Sequence, residues 1–157
     1  MTEQANEVDF PAPEQMRLSR WFPAPPALLW RFWTDPAQIV RWFGPAGADQ
    51  RKVEADLRVG GAWGVDFQAY GGLRRVRGEY LELDEPHRLV STWAWLDDDG
   101  VKGVESHYEL ALTGEGDGVR LILTHTLPTA ELASQHGQGW AGSMQSLADY
   151  VAEQNAA

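Results

Sequence analysis

Between Asp49 and Thr126 apolar residues recur at every second position, and clusters of turn-forming residues interrupt them at short intervals. A period of two is the pleat of a half-buried strand, so this part of the chain is limited to a sheet. The spacing predicts six strands, at about 51–58, 62–70, 73–83, 88–96, 103–113 and 118–127. Gly60-Gly61, Gly71-Gly72, Asp84-Glu85-Pro86, Asp97–Gly100 and Gly114–Gly118 separate them. Connections this short join neighbouring strands antiparallel. Met16–Phe22 alternates as a seventh strand, and Pro23, Pro25 and Pro26 end it.

Elsewhere the period is helical. Leu29, Trp30 and Trp33 share one face of a helix over Ala27–Thr34, which Asp35-Pro36 breaks. A second short helix, Ala37–Phe43, places Ile39 and Trp42 three apart before Gly44-Pro45 stops it. The chain closes in a helix over Glu131–Gln154, with Trp140, Met144, Leu147 and Val151 in one apolar stripe. The expected class is α+β: a seven-stranded antiparallel sheet, two short helices after its first strand, and a long C-terminal helix laid on its apolar face. Residues 1–15 are polar and acidic with two prolines and are expected to form a flexible tail, leaving 16–154 as one domain.

Charge and composition narrow the function. A net charge of −10 lacks the basic face that nucleic-acid phosphates demand, so the helix pair after strand one is not read as a DNA-binding motif. A neutral or cationic partner is easier to accommodate. The absence of Cys removes disulfides, thiolate catalysis and Cys-ligated zinc. No stretch reaches the roughly 18 apolar residues of a membrane span, and the N-terminus lacks a signal-peptide layout, so a soluble cytoplasmic protein without membrane insertion is expected. Asp97–Gly100 lacks the spaced ligands of a calcium loop, and the glycine turns lack the Lys-Ser/Thr of a phosphate loop. No metal or cofactor is expected.

The chain has eight tryptophans, more than a core of this size requires, so the surplus aromatic surface needs a role. Trp30, Trp33 and Trp42 are assigned to packing the helices on the sheet. Trp63, Phe67, Tyr80, Trp93, Tyr108 and Trp140 come from separate strands and the long helix, and are expected to converge on one pocket. In the last hairpin the row Val104, Ser106, Tyr108, Leu110, Leu112 must pair with Val119, Leu121, Leu123, His125, because a one-residue slip would set the two rows on opposite faces. His125 is therefore directed inward beside Ser106 and Tyr108, while His107 faces the other way, and the two do not share a metal. Leu123, Ser106 and Met144 join the expected lining. An inward Arg20 is expected to pair with a carboxylate such as Glu79. Asp56 and Arg58 are read as holding their turn.

Ala24–Trp30, Trp33–Pro36, Arg41–Pro45, Asp56–Trp63, Thr92-Trp93, Thr124-His125 and Gly139-Trp140 together resemble the START-like (SRPBCC) superfamily, over about residues 16–152. The branch they are most similar to is the bacterial relatives of the C-terminal domain of the heat-shock chaperone ATPase activator. That resemblance implies a helix-grip fold, a curved sheet wrapping the long helix around an internal cavity, and a link to stress response. It also implies binding of a small hydrophobic or aromatic molecule, with two alternatives: a polyketide cyclase or hydrolase using His125 and Tyr108, or a chaperone-interacting module. The eukaryotic activator's additional N-terminal domain has no counterpart here, which argues against chaperone activation. Binding rather than catalysis is the expectation, by a monomer or a homodimer.

Overall fold

The computed structural model describes residues 5–156. Its strands run β1 Glu7–Ala12, β2 Gln15–Phe22, β3 Asp49–Ala55, β4 Ala62–Ala69, β5 Gly72–Asp84, β6 Arg88–Trp95, β7 Ser106–Glu115 and β8 Gly118–Thr126. The helices are α1 Pro26–Thr34, α2 Pro36–Ile39 and α3 Ala130–Ala156. All eight strands form one antiparallel sheet in the order β1-β2-β8-β7-β6-β5-β4-β3. The chain thus leaves the sheet after β2, passes through α1 and α2, and returns at the opposite edge with β3. This is the helix-grip arrangement.

The sheet has one strand more than the seven expected. Residues 7–12, within the segment read as a flexible tail, pair with β2 through Glu7↔Ser19, Val8↔Leu18 and Asp9↔Arg17. Every residue of β1 is exposed; Val8, Phe10 and Ala12 alternate with Glu7, Asp9 and Pro11, and Pro11 is tolerated because the strand lies at an edge. The first four residues of that segment lie outside the described residues. The second helix is shorter than expected: α2 ends at Ile39, and turns carry the chain through Trp42. Val104 lies before β7 and is exposed, so the inward row begins at Ser106.

Local chemistry explains the helix ends. Pro26 occupies the first turn of α1, where its missing N–H leaves no bond unmade. Asp35 ends α1 and caps α2, its carboxylate accepting from the Ala37 amide at 3.0 Å. The register of the last hairpin is the expected one, with Tyr108↔His125, Leu110↔Leu123 and Leu112↔Leu121. Tyr108 and these leucines, with Leu29, Met144 and Leu147, belong to the apolar core between sheet and helices. No helix among the described residues is long and apolar enough to cross a membrane.

Candidate functional site

Aromatic rings of the inner face border a cleft of about 340 Å³ beside the first half of α3. Phe67 of β4 and Trp93 and Trp95 of β6 form its floor. Phe43 and Pro45, from the turn after α2, form one wall. His136, Gly139 and Trp140 of α3 form the other, with Tyr70 at the β4–β5 turn and Gln135 and Gln138 at the rim. Among the described residues, no Asp, Glu, Lys or Arg lines it. A pocket of this size with apolar walls and a few amide groups is the usual form of a small-molecule site.

Three of the expected lining residues reach the cleft: Phe67, Trp93 and Trp140. The others do not. Trp63, Tyr80 and Tyr108 instead border a separate void of about 20 Å³, room for little more than one water. Ser106, Leu123, His125 and Met144 border neither space and are buried in the core. Trp33 explains the difference. It stacks on Trp140, with ring centroids 5.8 Å apart and planes 16° from parallel, and its Nε1 donates to the Tyr108 hydroxyl at 3.2 Å. A residue assigned to helix packing therefore fills the space that would have let a ligand reach Tyr108.

Hydrogen bonding fixes the two inner histidines. An indole nitrogen only donates, so Trp140 Nε1 bonding to His125 Nδ1 at 3.0 Å makes that nitrogen an acceptor and puts the ring proton on Nε2. Nε2 then donates to Ser106 Oγ at 2.7 Å, and Ser106 donates to the Trp93 carbonyl at 3.2 Å. His136 has the opposite tautomer: Nδ1 donates to the Leu132 carbonyl at 2.9 Å and Nε2 accepts from Trp95 Nε1 at 3.1 Å. Burial holds the His125 pKa well below the ordinary value of 6.5, reinforced by the charges that His136 and His107 would carry. Burial also lowers His136, against the opposing pull of the Leu132 carbonyl. Both rings are neutral at pH 7, and neither nitrogen of His125 is left for proton transfer to a ligand. Burial raises the Tyr108 hydroxyl far from any ionising range near neutrality. Among the described residues no three His, Asp or Glu side chains are placed to hold a metal ion.

Arg20 is inward as expected, but its partner is not Glu79, which is exposed. Its Nη1 donates to the side-chain oxygens of Asn6 and Gln145, both at 3.1 Å. Asp56 does hold its turn through Arg58, at 2.7 Å.

His136, Phe43, Pro45 and Tyr70 were not among the expected residues. The first had a signal: it lies one turn before Trp140 on the same stripe. Phe43 and Pro45 belong to the Arg41–Pro45 segment, where the sequence places only Trp42 in helix packing and Gly44-Pro45 reads as a helix stop. Tyr70 sits in a turn, where side-chain period carries no information.

Comparison with known proteins places the fold. The family model described as Activator of Hsp90 ATPase homolog 1-like protein matches residues 23–152. The fold is similar to that of an AHSA1 protein from Silicibacter pomeroyi, at 32% identity, TM-score 0.76, and coverage of 89% of this chain and 99% of that one. It is also similar to a protein from Chromobacterium violaceum, at 32% identity, TM-score 0.77, and coverage of 89% and 98%. CalU16 from Micromonospora echinospora is 27% identical with TM-score 0.68, over 96% and 86%. Among curated proteins, none matches.

Proposed function

The chain belongs to the Activator of Hsp90 ATPase homolog 1-like family, within the START-like superfamily, and on that premise we propose that it binds a small apolar, aromatic-rich molecule in the cleft between α3 and strands β4–β6. The observation that carries this reading is the uncharged aromatic lining of a space of about 340 Å³. Burying about 200 Å² of ligand surface there would contribute roughly 5 kcal/mol before association costs, which gives a modest, reversible affinity. Binding without chemistry is favoured over catalysis because His125, the candidate base, has both nitrogens engaged by protein groups.

The neutral dye N-phenyl-1-naphthylamine tests it. A Cβ at Gly139 meets nothing within 4 Å, so Gly139→Trp projects a ring into the cleft region without a backbone clash. Saturable one-site binding to the native chain, lost in Gly139→Trp with the fold intact by circular dichroism, supports the reading. Absence of binding, or binding that Gly139→Trp leaves unchanged, overturns it.

A further inference from the structure

Tyr70 holds a backbone conformation that its residue type disfavours. With Gly71 it makes the two-residue turn between β4 and β5, and both φ angles are positive, 55° and 79°. Asn or Gly ordinarily takes the first of these positions, and a bulky side chain there is strained. The ring is 69% exposed, so core packing does not explain it. It borders both the aromatic cleft and an outer groove that continues past Trp95. Strain of this kind collects at sites of function.

Arg74 stands beside it. The cross-strand pair Phe67↔Arg74 puts Arg74 on the same sheet face as the cleft floor, and its guanidinium carbon lies 5.5 Å from the Tyr70 ring centroid. Its Nε and Nη2 donate to the Ala69 and Tyr70 carbonyls, each at 3.2 Å. The fork is thereby held in place, while Nη1 makes no hydrogen bond among the described residues. No carboxylate pairs with Arg74 among those residues either, in a chain of 23 acidic and 13 basic side chains. Asp97 and Asp98 border the far part of the groove, and the Asp97 carboxylate is engaged by the Asp99 and Val101 amides of its own turn.

We propose that cleft and groove form one site for a planar apolar molecule bearing a single carboxylate or sulfonate, its apolar body against Trp93 and Trp140 and its anion on Arg74 beside Tyr70. This rests on the binding reading above and adds the ligand's charge. The net charge of −10 opposes an anion only weakly wherever the carboxylates lie beyond about 8 Å, the range over which physiological salt screens charge.

Two dyes sharing an aromatic body separate the outcomes: 1-anilinonaphthalene-8-sulfonate and the uncharged N-phenyl-1-naphthylamine. Arg74→Gln is expected to weaken the sulfonate about five- to tenfold and to leave the neutral dye within about twofold. Arg31→Gln removes the same charge from the exposed face of α1, from which no residue lines the cleft, and is expected to change neither. Loss of both dyes alike in Arg74→Gln, an unchanged sulfonate affinity, or a native chain that takes only the neutral dye overturns the anion site and leaves the binding reading standing. A native chain that takes neither dye overturns both.

Discussion

Trp140 Nε1 and His125 Nδ1 lie 3.0 Å apart, and because the indole can only donate, this one contact sets the tautomer of a histidine with no solvent exposure. The consequence is a defined pH dependence. The unfolded chain protonates this ring around 6.5, while burial keeps the folded ring neutral well below that. Below pH 6.5 the unfolded state therefore binds the additional proton, so His125 contributes stability above 6.5 that is lost as pH falls toward its folded pKa. The loss is about 1.4 kcal/mol per pH unit in that window. Urea denaturation of the native chain and of His125→Gln between pH 7.5 and 5.5 measures it: the native chain is expected to lose more stability, by about 1 kcal/mol. Equal slopes would mean that His125 takes up a proton in the folded state as readily as in the unfolded one.

Gly78 of β5 has no room for a side chain beneath Trp63. A Cβ built there falls 2.3 Å from both Trp63 Nε1 and the Thr92 carbonyl oxygen, so Trp63 lies directly on the β5 backbone while its Nε1 donates to Ser91 Oγ at 2.6 Å. Gly78→Ala is expected to displace that ring and destabilise the fold by about 2–3 kcal/mol, read as a lower urea midpoint. A neutral effect would show that Trp63 moves aside freely.

Gly78 also shows where sequence reading stops. Strand periodicity located β2 to β8 because each alternates between a more and a less exposed face, only half-buried in β3, and it paired Tyr108 with His125 through the two apolar rows. It missed β1 because Pro11 and Pro13 mask the short alternation of Val8, Phe10 and Ala12, of which the first two face Gly137 of α3: a Cβ there would lie 3.6 Å from Phe10 and 3.7 Å from Val8. The aromatic inventory was legible, but its division between core and cleft was not. Period assigns a face, and Trp63, Trp93, Tyr108 and Trp140 all take the inner one. Only the insertion of Trp33 from α1, a contact across 75 positions to Tyr108 and 107 to Trp140, decides which of them a ligand can touch.

Three glycines, Gly137, Gly139 and Gly142, fall in the stretch of α3 that borders the cleft. Each weakens the helix relative to alanine by about 1 kcal/mol. Gly142 packs on Pro45, with a built Cβ 3.5 Å from the proline ring, whereas Gly139 has open space. Gly139→Ala is therefore expected to stabilise the fold by about 1 kcal/mol, seen as a rise of about 3 °C in the thermal midpoint. An unchanged or lower midpoint would show that this turn of α3 is not limited by helix propensity.

Tyr70 separates stability from binding. Relieving a left-handed backbone at a bulky residue is worth about 1 kcal/mol, and Asn adopts that conformation with little cost. Tyr70→Asn is therefore expected to raise the urea midpoint, since the ring is 69% exposed and little packing is lost. The same change removes an aromatic wall shared by cleft and groove, and the ring over which the Arg74 guanidinium lies. Affinity for 1-anilinonaphthalene-8-sulfonate is expected to fall about fivefold. A variant that is more stable and binds equally well would show that the turn is strained for no purpose at this site. A less stable one would mean that the ring's contacts outweigh the strain of its backbone.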